Sequence, residues 1–208
     1  MVLEREPLAE PGRRGARRAF LAAALRKPGR FGAVAPSSPS LAAAIASVVP
    51  TVGTPVVVEL GPGTGPVTTA IDARLVPGAR HLAVELDTRM ADFLRQAHPG
   101  LEVVEGDAAK LQTLLTERGV EHTDAVISGL PWALFDDETQ ESILGQIAAL
   151  IGPDGVFATF AYRHGMALAS ARRFRRSLQH TFAEVLLTPT VWRNMPPAFV
   201  YVCRHPRT

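Results

Sequence analysis

The chain has 208 residues, 47% of them apolar and 20% charged, with a net charge of +2. Those proportions suit one globular domain and exclude wholesale disorder, a collagen repeat and a disulfide scaffold. The single cysteine, Cys203, rules out an intrachain disulfide and the usual cysteine-based zinc site, and no run reaches the ~18 apolar residues of a membrane span. A reducing, cytoplasmic compartment is expected, with no metal.

The charge is unevenly spread. Residues 11–30 carry Arg13, Arg14, Arg17, Arg18, Arg26, Lys27 and Arg30 and no acid. Residues 163–208 carry eight arginines against Glu184 alone, whereas residues 31–162 are strongly acidic. Twenty of the 22 bases are arginine, which grips phosphate bidentately where lysine acts as a point charge. Two basic ends predict an anionic partner: a membrane surface of phospholipid headgroups, or nucleic acid. Arg17-Arg18 resembles a twin-arginine export signal, but the apolar stretch after it ends at Leu25 before Arg26-Lys27, too short for export.

In chain order, residues 1–12 hold two prolines and mixed charge and are expected to be disordered. Residues 13–26 suit a helix stopped by Lys27-Pro28-Gly29. Its arginines fall on the same side as Leu21 and Leu25, so it segregates charge along its axis rather than around it. Ser38 caps a small-residue helix running to about Val49. Strands are predicted at Val56–Leu60, His81–Leu86, Leu101–Val104, Asp124–Ser128, Val156–Tyr162, Phe182–Leu187 and Ala198–Arg204. Helices are predicted between most of them, at Val67–Leu75, Thr88–Ala97, Lys110–Arg118, Glu138–Leu150 and Ala167–Gln179. The alternation predicts an α/β fold: a Rossmann-like, mostly parallel seven-stranded sheet with helices on both faces, an antiparallel last strand and extra N-terminal helices.

The first strand runs into Glu59-Leu60-Gly61-Pro62-Gly63-Thr64-Gly65. Glycines at a strand-to-helix turn let a ligand approach the backbone and tolerate left-handed torsions. The dinucleotide fingerprint needs glycine where Pro66 stands, and no Gly-Lys-Ser/Thr ending makes a P-loop. Glu85 ends the second strand 20 residues after Gly65, the position from which a carboxylate accepts both hydroxyls of a ribose. Asp107 and Ala108 follow the third strand, where an adenine ring would lie, and Asp107 is placed either to accept its amine or to cap the next helix. Ser128-Gly129-Leu130-Pro131-Trp132 closes the fourth strand, where a proline turn and a large aromatic would wall an acceptor.

Taken together, Glu59–Gly65, Glu85, Asp107 and the fourth-strand motif resemble a class I S-adenosylmethionine-dependent methyltransferase over roughly residues 35–204. The resemblance implies S-adenosylmethionine as cofactor, bound by Glu59, Gly61, Gly63, Gly65, Glu85, Asp107, Ala108 and Ser128. It divides the chain into a basic N-terminal segment, residues 1–30, and a methyltransferase domain, residues 31–208. Ribosomal RNA adenine dimethyltransferases carry Asn-Leu-Pro-Tyr or Phe after strand four, and the Asn holds the adenine amine. Gly129 has no such acceptor. The Ser-Gly-Leu-Pro run, Gly32–Ser38 and Asn194-Met195-Pro196-Pro197-Ala198 instead look like the bacterial phospholipid N-methyltransferases, which methylate phosphatidylethanolamine. That likeness implies a headgroup amine as acceptor and peripheral attachment to the inner membrane face. Gly129, Leu130, Pro131 and Trp132 would line the acceptor site, and Arg163 and Arg193 would hold a lipid phosphate. Tyr162, His164 and Asp136 are the candidates for a base that deprotonates the amine.

Overall fold

A computed structural model describes residues 37–207. The expectations for residues 1–36, including the helix over 13–26 and the basic segment, lie outside the described residues. Seven strands form one sheet: β1 Val56–Leu60, β2 Arg80–Glu85, β3 Glu102–Glu105, β4 Thr123–Ser128, β5 Ile151–Tyr162, β6 Phe182–Leu187 and β7 Ala198–Pro206. Their order is β3-β2-β1-β4-β5-β7-β6. Strands β1 to β5 pair in parallel, and β7 runs antiparallel to both β5 and β6. The chain steps outward from β1 to β3, then returns to place β4 on the other side of β1. The carboxyl ends of β1 and β4 therefore flank a switch point, where open α/β sheets bind ligands.

The central strands are buried on both sides because helices cover both sheet faces. One face presents Val57, Ala125, Ile127, Val156, Ala158 and Val200 to α1 (Pro39–Ala46) and α2 (Pro66–Asp72). Leu41, Ile45, Val67 and Ile71 complete that layer. The opposite face is built on aromatics. Phe157 of β5 stacks on Phe182 of β6 at 5.8 Å between centroids and meets Trp132 edge-on at 5.9 Å. Phe174 of α6 (Ala169–Thr181) stacks on the other side of Trp132 at 4.9 Å. Burial at this face pushes the Cys203 thiol up to about 12, so it behaves as a small apolar side chain.

Helices α3 (Thr88–Ala97), α4 (Leu111–Thr116) and α5 (Asp137–Leu150) fall close to their predicted places. The differences have local causes. Strand β2 stops at Glu85 because Asp87 caps α3 from its side chain, accepting the N–H groups of Arg89 and Met90. Helix α4 begins late because Asp107 first caps a single 3-10 turn, Ala108–Lys110. Strand β5 begins at Ile151, five residues early. Thr123 pairs with Ile151 but Ala125 with Val156, so the residues around Gly152–Gly155 bulge out of the ladder.

Removing the indole from the middle of the aromatic layer leaves a large cavity. Trp132→Ala should lower the unfolding free energy by about 3–5 kcal/mol, read as a shift in urea midpoint, and Trp132→Phe by much less.

Candidate active site at the carboxyl edge of the sheet

Short backbone hydrogen bonds place the four strand exits side by side. The Gly61 N–H donates to Val84 O (2.9 Å), that of Gly106 to Glu85 O (2.9 Å) and that of Gly129 to Leu60 O (2.8 Å). Each exit is thus tied to one of its neighbour's last two strand residues. The glycine loop after β1 turns through left-handed torsions at Gly61 (φ 67°), Gly63 (φ 58°) and Gly65 (φ 82°). A Cβ on Gly61 would lie 2.9 Å from Leu130 Cδ2, and one on Gly129 only 2.8 Å from Gly61 O. The exits of β1 and β4 therefore admit no side chain between them. At Gly63 nothing lies within 4 Å of a Cβ position, so the crest of the loop is an open cradle.

Glu85 reaches across to that crest. Its Oε2 accepts the Gly63 N–H at 3.2 Å and its Oε1 the Asp87 N–H at 2.9 Å. The residue is 1% exposed. Burial raises its pKa above the usual carboxylate range, and the N–H groups of Asp87, Gly63 and Leu86 offset only part of that cost. A ligand with two hydroxyl donors would complete the solvation of this carboxylate. An open glycine cradle beside a desolvated carboxylate fits S-adenosylmethionine. Asp107 and Ala108 stand next to Glu85 through the Gly106 N–H bond.

Two residues expected at the cofactor, Glu59 and Ser128, also have partners within the protein. The Glu59 carboxylate accepts from Thr68 Oγ1 at 2.7 Å and stands 3.6 Å from His81 Nε2, binding β1 to α2 and β2 under the loop. Asp72 links the next groups, 2.9 Å from His81 Nδ1 and 3.0 Å from His98 Nδ1. Burial alone would discharge His81, but the carboxylates of Asp72 and Glu59 outweigh it and hold its pKa above the ordinary value. Burial likewise opposes ionisation of Asp72, and His81 with His98 overcome it to lower that pKa. The Ser128 hydroxyl is also committed: it accepts from Leu130 N–H at 3.2 Å and Trp132 Nε1 at 3.1 Å.

Trp132 is a correction to the expected acceptor wall. It is 3% exposed and faces the core, because its ring fills the space between Phe157 and Phe174 and its N–H is bonded to Ser128. Gly129, Leu130 and Pro131 remain half-buried at the edge. Tyr162 ends β5 half-buried, and burial raises its phenol pKa above the ordinary value. His164, exposed, stacks on it at 5.9 Å. Asp136 caps α5, accepting from Thr139 N–H. Arg163 and Arg193 are exposed on the rim beyond β5 and β7.

Sequence reasoning passed over Gln140. It is 1% exposed on α5, and its Nε2 donates to Trp132 O (2.9 Å) and Phe135 O (3.3 Å), holding the turn after β4. The signal was a polar residue at the helical spacing of Ile143, Leu144 and Ile147. Asn194 was quoted only within a motif. It is buried, accepts the Ser38 N–H at 2.9 Å and donates to Pro196 O at 2.8 Å.

Comparison with known proteins adds an independent line. Residues 57–155 match a family model described as a methyltransferase domain. Over 174 residues the chain is 35% identical to an ornithine lipid N-methyltransferase of Singulisphaera acidiphila, covering 82% of this chain and 86% of that one. It is 37% identical over 78 residues to a ribosomal RNA small subunit methyltransferase A of Chlorobium phaeobacteroides, 38% of this chain and 28% of that one. Among solved structures, Aeropyrum pernix fibrillarin, with S-adenosyl-L-methionine natively bound, superposes with a TM-score of 0.59. It is 15% identical, covering 78% of this chain and 73% of its own. A TehB-like S-adenosylmethionine-dependent methyltransferase of Corynebacterium glutamicum superposes with a TM-score of 0.55 at 18% identity, covering 91% and 98%. At such identities these two show the fold.

The contact between the exits of β1 and β4 is testable. Gly129→Ala puts a methyl against the Gly61 carbonyl and should cost about 1–3 kcal/mol, seen as a lowered thermal midpoint. Gly145→Ala, with nothing within 4 Å of its Cβ position, is the control and should not lower it.

Proposed function

Because this chain belongs to the class I S-adenosylmethionine-dependent methyltransferases, we propose that its acceptor is the amine of a lipid headgroup. The observation that carries this reading is the likeness to a lipid N-methyltransferase over 82% of this chain, combined with the Gly129 contact. An asparagine at that position, as an adenine site requires, would collide with Gly61 O unless the backbone moved.

When bound, the cofactor supplies a methyl already activated by a positively charged sulfur. We assign Glu85 to the ribose hydroxyls, the backbone of Gly61, Gly63 and Gly65 to the amino-acid end, and Asp107 and Ala108 to the adenine. Glu59 and Ser128 hold the framework. Gly129, Leu130 and Pro131 form the wall between cofactor and acceptor, where positioning contributes most of the rate. An ammonium must lose a proton before its lone pair is available. Tyr162 keeps its own proton and orients the amine through a phenol lone pair. His164 takes the proton from the amine and returns it to water. Arg163 and Arg193 stand where an anionic headgroup group would be gripped bidentately.

Binding couples to the ionisation of Glu85. Two hydroxyl donors favour its charged form, so binding releases a proton where Glu85 was protonated. S-adenosylmethionine affinity, measured by calorimetry, should hold above the raised Glu85 pKa and weaken as pH falls through it. Glu85→Ala should lose binding by about 100-fold, two charge-assisted hydrogen bonds at ~1.5 kcal/mol each. An unchanged affinity would remove the ribose assignment.

The acceptor is tested with cofactor carrying a labelled methyl. The protein is offered phosphatidylethanolamine, an ornithine lipid that has an amine and a carboxylate but no phosphate, and ribosomal RNA. Label is expected in lipid. Preference for phosphatidylethanolamine would support phosphate recognition by Arg163 and Arg193. Label in RNA alone overturns the proposal.

A further inference from the structure

Of the eight large apolar side chains exposed in residues 37–207, four follow the carboxyl ends of β5 and β6, Met166, Leu168, Trp192 and Met195, and two more, Leu186 and Leu187, are the last residues of β6 itself. Leu168 is 57% exposed, Trp192 67% and Met195 77%. Both strands flank the antiparallel β7, so both end at the same edge of the sheet as the glycine loop. The segments after them are joined. The Arg163 N–H donates to Pro197 O at 2.8 Å, and Arg163 Nη1 donates to Thr190 Oγ1 at 3.2 Å. The guanidinium also lies over the Trp192 ring, 5.4 Å from its centroid. Buried Asn194 braces the loop through Ser38 and Pro196, so Trp192 and Met195 are held outward on a fixed turn.

The charge at this edge has one sign. Arg163, Arg172 and Arg193 pair with no carboxylate among the described residues, whereas Arg173 and Arg204 are taken up by Asp137 and Glu184. Glu184 is the only acid from residue 163 onward. In sequence, the seven bases of residues 11–30 come just ahead of Ser38, whose N–H is bonded to this same loop. A protein interface of this size would be expected to bring opposite charges to meet the arginines. Exposed tryptophan and methionine among unpaired arginines instead match the boundary of an anionic bilayer. There indole sits at headgroup depth, arginine stems lie along apolar chains and guanidinium reaches phosphate.

We propose that the loops after β5 and β6 form a docking surface for an anionic lipid bilayer, with Trp192 and Met195 entering the headgroup layer and Arg163, Arg172 and Arg193 on the phosphates. The proposal rests on the reading of the acceptor as a lipid amine, and it turns the cofactor edge of the sheet toward the membrane.

The test uses the full chain, whose two tryptophans are Trp132, buried, and Trp192. Vesicles of phosphatidylglycerol and phosphatidylcholine, brominated high on the acyl chains, are added while emission is followed. Blue-shifted and quenched emission is expected, and Trp192→Phe should abolish both changes, leaving Trp132 unquenched. Trp192→Ser combined with Met195→Ser should reduce the vesicle-bound fraction about tenfold with S-adenosylmethionine affinity unchanged. Three results overturn the proposal: no association with these vesicles, association with Trp192 emission unmoved, or a double variant that binds like the parent protein. Methyl transfer to a short-chain lipid amine below its micelle concentration separates the two readings. Transfer without Trp192 insertion sinks the surface alone, and insertion without transfer to any lipid amine sinks only the acceptor reading.

Discussion

The active edge depends on one close approach, that of the β4 exit to the β1 exit. The Gly129 N–H is bonded to Leu60 O, and its α-carbon faces the Gly61 carbonyl at a distance that excludes even a methyl group. Once these two exits touch, the glycine loop has one course, over Leu130 and toward Glu85. The bonds from Gly61 to Val84 and from Gly106 to Glu85 extend the arrangement to β2 and β3. Backbone groups do this work, and backbone N–H groups in a protein interior must find partners. The loops therefore inherit the rigidity of the sheet.

Polar groups buried below the edge lock it from both faces. On the aromatic side, Ser128, Trp132 and Gln140 form a clasp in which each donor finds an acceptor in the turn that it holds. On the other side, Thr68, Glu59, His81, Asp72 and His98 form a chain of side chains from β1 through β2 to the end of α3. The opposed pKa shifts of His81 and Asp72 follow from their contact: the partly exposed Asp72 carboxylate favours the charged form of the buried imidazole, and the imidazole in turn favours the ionised carboxylate. Neither group needs to touch a ligand to matter. They brace β1, β2 and α2 beneath the loop that carries Gly63.

The same edge carries two surfaces of different character. Toward β2 and β3 it carries the carboxylates of Glu85 and Asp107 beside the glycine loop. Toward β5, β7 and β6 it is broad, arginine-rich and apolar at its most exposed points. Between them lie Tyr162 and the Gly129–Pro131 turn, where the two would exchange chemistry. Placing both surfaces at one sheet edge follows from the antiparallel β7, which lets β5 and β6 end together.

The sequence by itself determined the alternation of strand and helix, the glycine loop, the carboxylate ending β2 and the missing side chain at Gly129. Each is a local pattern: β-branched runs, turn residues and a spacing of about twenty residues. The mostly parallel sheet with an antiparallel end was legible because helices separate all the strands but the last two. Contacts between distant segments were not. Trp132 reads from its motif as a site wall, and only its position between Phe157 and Phe174 places it in the core. Glu59 and Ser128 sit in motif positions that suggest ligand contact, and their bonds to Thr68 and Trp132 are visible only in the structure. The grouping of Met166, Leu168, Trp192 and Met195 was invisible for the same reason. Residues roughly thirty positions apart meet only because an antiparallel strand brings two loops to one edge, and one-dimensional patterns do not encode that pairing.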